Sequence, residues 1–314
     1  MQLLRFNLPV LGNIEIAITT DELAEFTKRQ LFAYYQNMEK LNHQSDKNCL
    51  IIKSDLILTK AKDYFSKNKI LGRAYHIKNN ELHFANLRYV YSNDSLLIET
   101  TFKEAKNKWY KKRKKLNYAQ CHIRFYHQIL YPIFSLYTLL NGYYLVHGSL
   151  INFEGKNIII SGLDGVGKSS LSNILVKNNA KLYSDNFVLF NGKNAIPLNL
   201  AMRLDPKQDT NMQVLYKDED LQEVLSEYRI NKALTVDKFI VLYVSEQLKL
   251  QKCNSNLIPW VLYSNNAPEI CAANAVITPF LINKINKYNE MVTKYLSVPM
   301  GRLDDAMELL KNDN

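Results

Sequence analysis

The sequence predicts an α/β fold: an α/β domain over residues 141–314, preceded by a smaller N-terminal α+β domain. Three observations predict it. Residues 162–169 read Gly-Leu-Asp-Gly-Val-Gly-Lys-Ser, a G-x-x-x-x-G-K-S loop set between a short β-branched run and a helical pattern. Glycine is scarce, with 10 in 314 residues, yet four of them fall between Gly155 and Gly167. Upstream, a helical stripe is followed by apolar runs separated by Asn-Asn and Asn-Asp pairs, the pattern of an antiparallel meander.

In chain order, Thr19-Thr20-Asp21-Glu22 has the form of a capping box and predicts a helix running to about residue 41. Leu23, Phe26, Leu31, Tyr34 and Met38 form its apolar stripe. Residues 42–56 begin polar and lead into a short strand or turn. Residues 73–101 predict the meander: Tyr75, Ile77, Leu82, Phe84, Tyr89 and the run 96–98 supply strand residues, and Asn79-Asn80 and Asn93-Asp94 supply turns. Residues 120–140 are largely apolar and read as a helical segment that Pro132 kinks or breaks; His122, Arg124 and His127 lie in it as structural or surface residues.

From Tyr143 the pattern changes. Residues 145–151 form a strand with a polar interruption at His147-Gly148-Ser149, Glu154-Gly155 a hairpin turn, and 157–161 a buried strand. Residues 169–177 form a helix with Leu171, Ile174 and Leu175 on one face. Residues 181–185 are a strand ending in an acid, and 187–190 and 195–198 a hairpin around Asn191-Gly192. Residues 221–227 predict a short helix and 236–245 a central strand. A final helix after Pro299 and Gly301 carries Leu303, Ala306, Met307 and Leu310 on its apolar face. The domain limits are 1–118, a connecting helical segment 119–140, and 141–314.

Composition narrows the class. At 47% hydrophobic the chain can bury a core, and no apolar stretch is long enough for a membrane span. The N-terminal residues mix Arg5, Asn7, Asn13 and Glu15 among apolar ones, unlike a signal peptide. Cys49, Cys121, Cys253 and Cys271 show no metal spacing, and reduced thiols in a cytoplasmic protein account for them. The net charge of +10 is concentrated at 103–115, which holds eight basic residues and one acid. That run is either a solvated face or a docking patch. With nothing else resembling a nucleic-acid module, nucleic acid is not the expected partner.

The loop points to phosphate chemistry. Gly162 and Gly167 let successive N–H groups turn around a polyphosphate, Lys168 reaches the β- and γ-phosphates, and Ser169 ligates Mg²⁺. Leu163, Asp164, Gly165 and Val166 complete the loop, and Ser170 opens the following helix with its positive N-terminal end toward the anion. Phosphoryl transfer also needs a metal-directed acid and a group that activates the nucleophile. Asp185, at the end of the next strand, is suited to hold Mg²⁺ or to take a proton from an attacking hydroxyl. Its alternative is a turn cap. His147 is either a structural strand histidine or a functional one.

His147-Gly148, a short hairpin, Ile160-Ser161-Gly162 with the loop, and Ser184-Asp185 together resemble the catalytic domain of bacterial HPr serine kinase/phosphorylase. The likeness is greater to that family's peptide- or small-molecule-modifying relatives. It covers residues 143–200 well, the remainder to 314 loosely, and does not reach 1–118. It implies a kinase domain of the HPr-kinase/PEP-carboxykinase-like type using ATP and Mg²⁺. It also implies active-site roles for His147 and Asp185, with Asp185 as base. The family's second acid is Asn186 here, whose amide oxygen can still ligate Mg²⁺. Its Glu-rich downstream signature is not recognisable; the nearest segment offers Arg203 as a phosphate or substrate contact.

The expected function is ATP- and Mg²⁺-dependent transfer of the γ-phosphoryl group to a hydroxyl, foremost serine of a peptide or protein. A small-molecule hydroxyl acceptor and a nucleotide-binding regulator without transferase activity are the alternatives. Homo-oligomers are a tendency of the resembled family only.

Overall fold

In the computed structural model the described residues are 2–8, 12–18, 21–31, 34–40, 49–53, 75–78, 81–84, 87–92, 95–100, 142–163, 165–198, 201–219, 221–228, 230, 232–252, 293–299 and 301–313. The basic run 103–115, the segment 119–140, Cys121, Cys253, Cys271 and Asp164 lie outside them. The protein is mixed α/β and rich in strands, and it divides into two compact units: Met1–Asn141 with Ala267–Pro279, and Gly142–Asn266 with Phe280–Asn314. Among the described residues no helix is long and apolar enough to cross a membrane.

The first unit is built on an antiparallel sheet. Strands β1 (Gln2–Leu8) and β2 (Gly12–Ile18) pair from Gln2↔Ile18 to Leu8↔Gly12. Helix α1 (Asp21–Gln30) follows, then β3 (Tyr35–Lys40) on the other edge of β1. The predicted helix to residue 41 is therefore ten residues long, and Tyr34 and Met38 lie beyond it. The backbone of 35–40 gains ladder bonds to β1, and the Tyr35 ring meets Phe6 edge-on at 6.0 Å. That pairing outweighs the helical stripe, which was only a periodicity. Met38 is consequently exposed, while Tyr34 is buried.

Strands β4 (Cys49–Lys53), β5 (Tyr75–Lys78), β6 (Glu81–Phe84), β7 (Leu87–Ser92) and β8 (Ser95–Thr100) complete the order β3-β1-β2-β4-β8-β7-β6-β5. The predicted meander is present: Lys78 pairs with Glu81, Phe84 with Leu87 and Ser92 with Ser95.

In the second unit, β9 (Tyr144–Phe153) returns through a tight turn into β10 (Lys156–Ser161). Glu154 and Gly155 both have positive φ, at 49° and 77°, the conformation of a hairpin turn that matches strand twist. Helix α2 (Lys168–Lys177) leads to β11 (Lys181–Ser184), and β12 (Phe187–Phe190) and β13 (Asn194–Pro197) form the predicted hairpin. Later come β14 (Met202–Leu204), β15 (Gln213–Lys217), β16 (Gln222–Leu225), β17 (Leu234–Thr235), β18 (Lys238–Val244), β19 (Lys249–Lys252), β20 (Thr293–Val298) and α3 (Leu303–Lys311).

The main sheet runs β17-β13-β12-β9-β10-β18-β20-β19, with β11 also on β9. Its centre, β10-β18-β20, is parallel, so the C-terminal ends of these strands lie at one edge with the loop after β10. Ile158, Ile160, Ile240, Leu242 and Leu296 from these strands share a core with Leu171 and Leu175 of α2 and Ala306 and Leu310 of α3. Truncating either buried α2 leucine to Ala costs about 2–5 kcal/mol on general grounds.

Residues 221–227 are not a helix. Gln222–Leu225 is a fully buried strand with β14 on one side and β15 on the other. A one-turn helix would fix several residues for few hydrogen bonds, whereas the two neighbours satisfy this segment on both edges.

Candidate functional site

The loop between β10 and α2 begins where β10 runs parallel to β18. A Cβ on Gly162 would lie 2.3 Å from the Leu242 carbonyl oxygen, so only glycine passes this point. Gly165 and Gly167 also have positive φ, at 78° and 96°, and turn the chain back into α2. Leu163 is exposed, Gly165 is exposed, and Val166 is half-buried with its Cγ2 next to Gly162. Lys168 is 7% exposed and donates from Nζ to the carbonyls of Gly162 at 3.0 Å and Leu163 at 2.9 Å, folding back over its own loop.

Gly167 caps α2 without a side-chain hydrogen bond, and no acid stands in the first helical turn. The N-terminal amides and the lysine therefore form a positive cradle with no built-in carboxylate on the helix to neutralise it. Ser170 Oγ, at the same end, accepts from Gln208 Nε2 at 3.3 Å.

Asp185 reaches this cradle through the way β9 is shared. The first half of β9 pairs with β12 and the second half with β11, from Phe187↔His147 to Ser184↔Leu150. Asp185 and Asn186 are the two residues between, set opposite Gly148 and Ser149. The Gly148 amide donates to the Asn186 carbonyl at 3.1 Å, and Asn186 takes φ 65°, a left-handed conformation that Asn tolerates. This turns the Asp185 carboxylate, 2% exposed, toward α2. Its Oδ2 accepts from Ser169 Oγ at 2.8 Å, and its Oδ1 accepts from Ser149 Oγ.

The other predicted site residues make contacts of their own. Asn186 donates from Nδ2 to the Ala201 carbonyl at 2.7 Å, and its Oδ1 faces Arg203 Nη2 at 3.5 Å. Arg203 sits on β14, opposite the buried Glu223 of β16. His147 lies on β9 two residues before Ser149, hence on the same face of the strand. Its ring centroid is 5.9 Å from that of Phe187, and its carbonyl accepts from Ser161 Oγ at 2.8 Å. Direct hydrogen bonds thus join Lys168 to Gly162 and Leu163, and Ser169 to Asp185, while Asn186 and Arg203 form a neighbouring pair.

Ser149 was not singled out from the sequence. Its signal was available: a small polar residue inside the apolar run of β9, two positions after His147.

The donor set fits a polyphosphate with a divalent metal. A glycine-rich turn at a helix N-terminus with a lysine beside it suits an anion, and a hydroxyl beside a buried carboxylate is a hard-oxygen pair suited to Mg²⁺. The Asn186 oxygen, next to a guanidinium, is less suited to a cation than the Ser169–Asp185 pair. Among the described residues no cluster of three or more His, Cys, Asp or Glu side chains forms a metal cage of its own.

No family model and no curated protein matches this chain. Among solved structures it is similar to the Hpr(Ser) kinase/phosphatase from Coxiella burnetii. The identity is 12%, the TM-score is 0.29, and the match covers 54% of this chain and 94% of that one.

Proposed function

We propose that the protein is an ATP- and Mg²⁺-dependent kinase that phosphorylates a hydroxyl, foremost a serine of a peptide or protein. One observation carries the reading: the P-loop serine and a buried carboxylate from the next strand connection share a hydrogen bond, Ser169 Oγ to Asp185 Oδ2 at 2.8 Å. Magnesium-ATP, when bound, supplies the γ-phosphoryl group and neutralises its charge during transfer.

The protein's own residues bind, orient and move the proton. Amides of 162–169 and the Lys168 ammonium hold the phosphates. Ser169 and Asp185 hold the metal. Asp185 takes the acceptor's proton as its oxygen attacks, a role worth about 10²–10⁴-fold in rate. His147, on the same strand face as Ser149, assists Asp185, and Arg203 beside Asn186 offers a cation to acceptor or phosphate.

The test is incubation with Mg²⁺, γ-labelled ATP and an extract of the source cells, beside Lys168→Ala. Label in a polypeptide supports the proposal, and label in a low-mass species makes the acceptor a small molecule. Nucleotide binding with no labelled acceptor favours the regulator reading. One observation favours that second reading: Asn186, its amide committed to Ala201 and Arg203, brings no second negative charge beside Asp185.

A further inference from the structure

We infer that Ser149 is a positioning residue that fixes the Asp185 carboxylate so that Oδ2 remains directed at Ser169 and the metal; this rests on the kinase reading above. Each oxygen of Asp185 is held by a different serine from a different element. Ser169 on α2 donates to Oδ2, and Ser149 on β9 donates to Oδ1.

The Ser149 side chain is fully buried, in a strand whose neighbouring positions Leu150 and Ile151 are fully buried and apolar. A buried hydroxyl costs free energy unless it is hydrogen-bonded, and this one spends its single donor on Asp185. The carboxylate itself comes from a two-residue connection between β11 and β12, a place where the ladder alone does not fix side-chain direction. Ser149 supplies that direction from the rigid middle of the sheet. With Oδ1 occupied from the β9 side, the carboxylate plane cannot rotate without breaking a buried hydrogen bond, and Oδ2 stays directed at Ser169 and the metal site.

Groups that orient a metal ligand from behind typically change metal affinity or activity by about 10–100-fold when removed. The experiment compares the full-length protein with Ser149→Ala, Ser149→Thr and Asp185→Asn. Mn²⁺ binding in the presence of a non-hydrolysable ATP analogue is followed by electron paramagnetic resonance, and nucleotide affinity and thermal unfolding are measured alongside.

Ser149→Ala is expected to weaken Mn²⁺ binding about tenfold or more while changing nucleotide affinity measured without metal by less than about threefold. Ser149→Thr, which keeps the donor, restores most of the Mn²⁺ affinity. Unchanged Mn²⁺ binding in Ser149→Ala, with binding lost in Asp185→Asn, overturns the role of Ser149 and leaves the role of Asp185 standing. Unchanged binding in Asp185→Asn, or none in the unmodified protein, overturns the underlying reading and this inference with it. A drop in Mn²⁺ binding that Ser149→Thr does not restore, accompanied by an equal loss of metal-free nucleotide binding and a lowered unfolding temperature, marks Ser149 as a structural residue only and overturns the inference.

Discussion

Ser169 and Asp185, sixteen positions apart, meet in a 2.8 Å hydrogen bond between the first turn of α2, after the 162–169 loop, and the connection from β11 to β12. On the proposed kinase reading, the contact joins two parts that phosphoryl transfer uses together, a phosphate cradle and an acid at its edge.

The first prediction concerns Asp185. Asp185→Asn keeps the size of the side chain and removes its charge and basicity. Transfer should fall by about 100-fold or more, the usual loss for a general base. Metal-free nucleotide affinity should change by only a few fold, because the loop amides and Lys168 are untouched. Steady-state kcat and KM, with equilibrium nucleotide binding alongside, separate the two effects. A variant with full kcat would refute the assignment of Asp185 as base.

The glycines of the loop should differ in cost. A Cβ at position 162 would sit 2.3 Å from the backbone oxygen of Leu242, whereas one at Gly165 meets nothing within 4 Å and suffers only from φ 78°. Gly165→Ala should therefore cost about 1–2 kcal/mol, the ordinary price of a left-handed residue. Gly162→Ala should cost clearly more, because a strand must move. Chemical denaturation of the two variants ranks them, and equal stabilities would contradict the close approach of β10 and β18.

A third prediction lies at the opposite edge of the parallel strands, far from the loop along β10 and β18. Lys156, Lys238 and Lys294 stand at or near the starts of β10, β18 and β20. Lys238 and Lys294 both pair with the Asp313 carboxylate, Lys238 at 2.7 Å to Oδ2, and Lys156 donates to the Asp313 carbonyl at 3.3 Å. Burial alone would raise the carboxyl's pKa, but the two ammoniums together outweigh it and hold the group below its ordinary value of 3.8. A lowered folded-state value means the unfolded chain binds the proton first. The contribution to stability is thus full above the unfolded value and is lost as pH falls through the folded one. Asp313→Asn should lower stability at pH 7, and its deficit relative to the native protein should shrink as the pH drops below about 4. Denaturation midpoints measured across that range check it, and a deficit independent of pH would contradict the pairing.

Much of the second unit was legible because its signals are local. Ile158-Ile159-Ile160, the glycines and the stripe of Leu171 and Leu175 each act within a few residues, and the helix stripe of 303–310 does the same. The turn at Glu154-Gly155 needs only residues that accept positive φ. What was not legible depends on partners distant in sequence. Residues 35–40 and 222–225 become strands because β1 in one case, and β14 with β15 in the other, satisfy their backbones. The pairing of Ser149 with Asp185 spans 36 positions and arises only because β9 divides its edge between β11 and β12. Asp185 could be chosen as an acid at a strand end; Ser149 stood out only as a polar residue in an apolar run, and nothing local tied it to Asp185.

The most direct test of the account is calorimetric titration of Mg²⁺-ATP into the native protein and into Lys168→Ala. Lys168 contributes a buried ammonium that bonds two carbonyls of its own loop, and circular dichroism checks that the variant stays folded. The account predicts saturable one-to-one binding to the native protein and at least about tenfold weaker binding to the variant, the loss of one strong charged contact. Equal affinities in the two proteins, or no binding to a folded native protein, would contradict it.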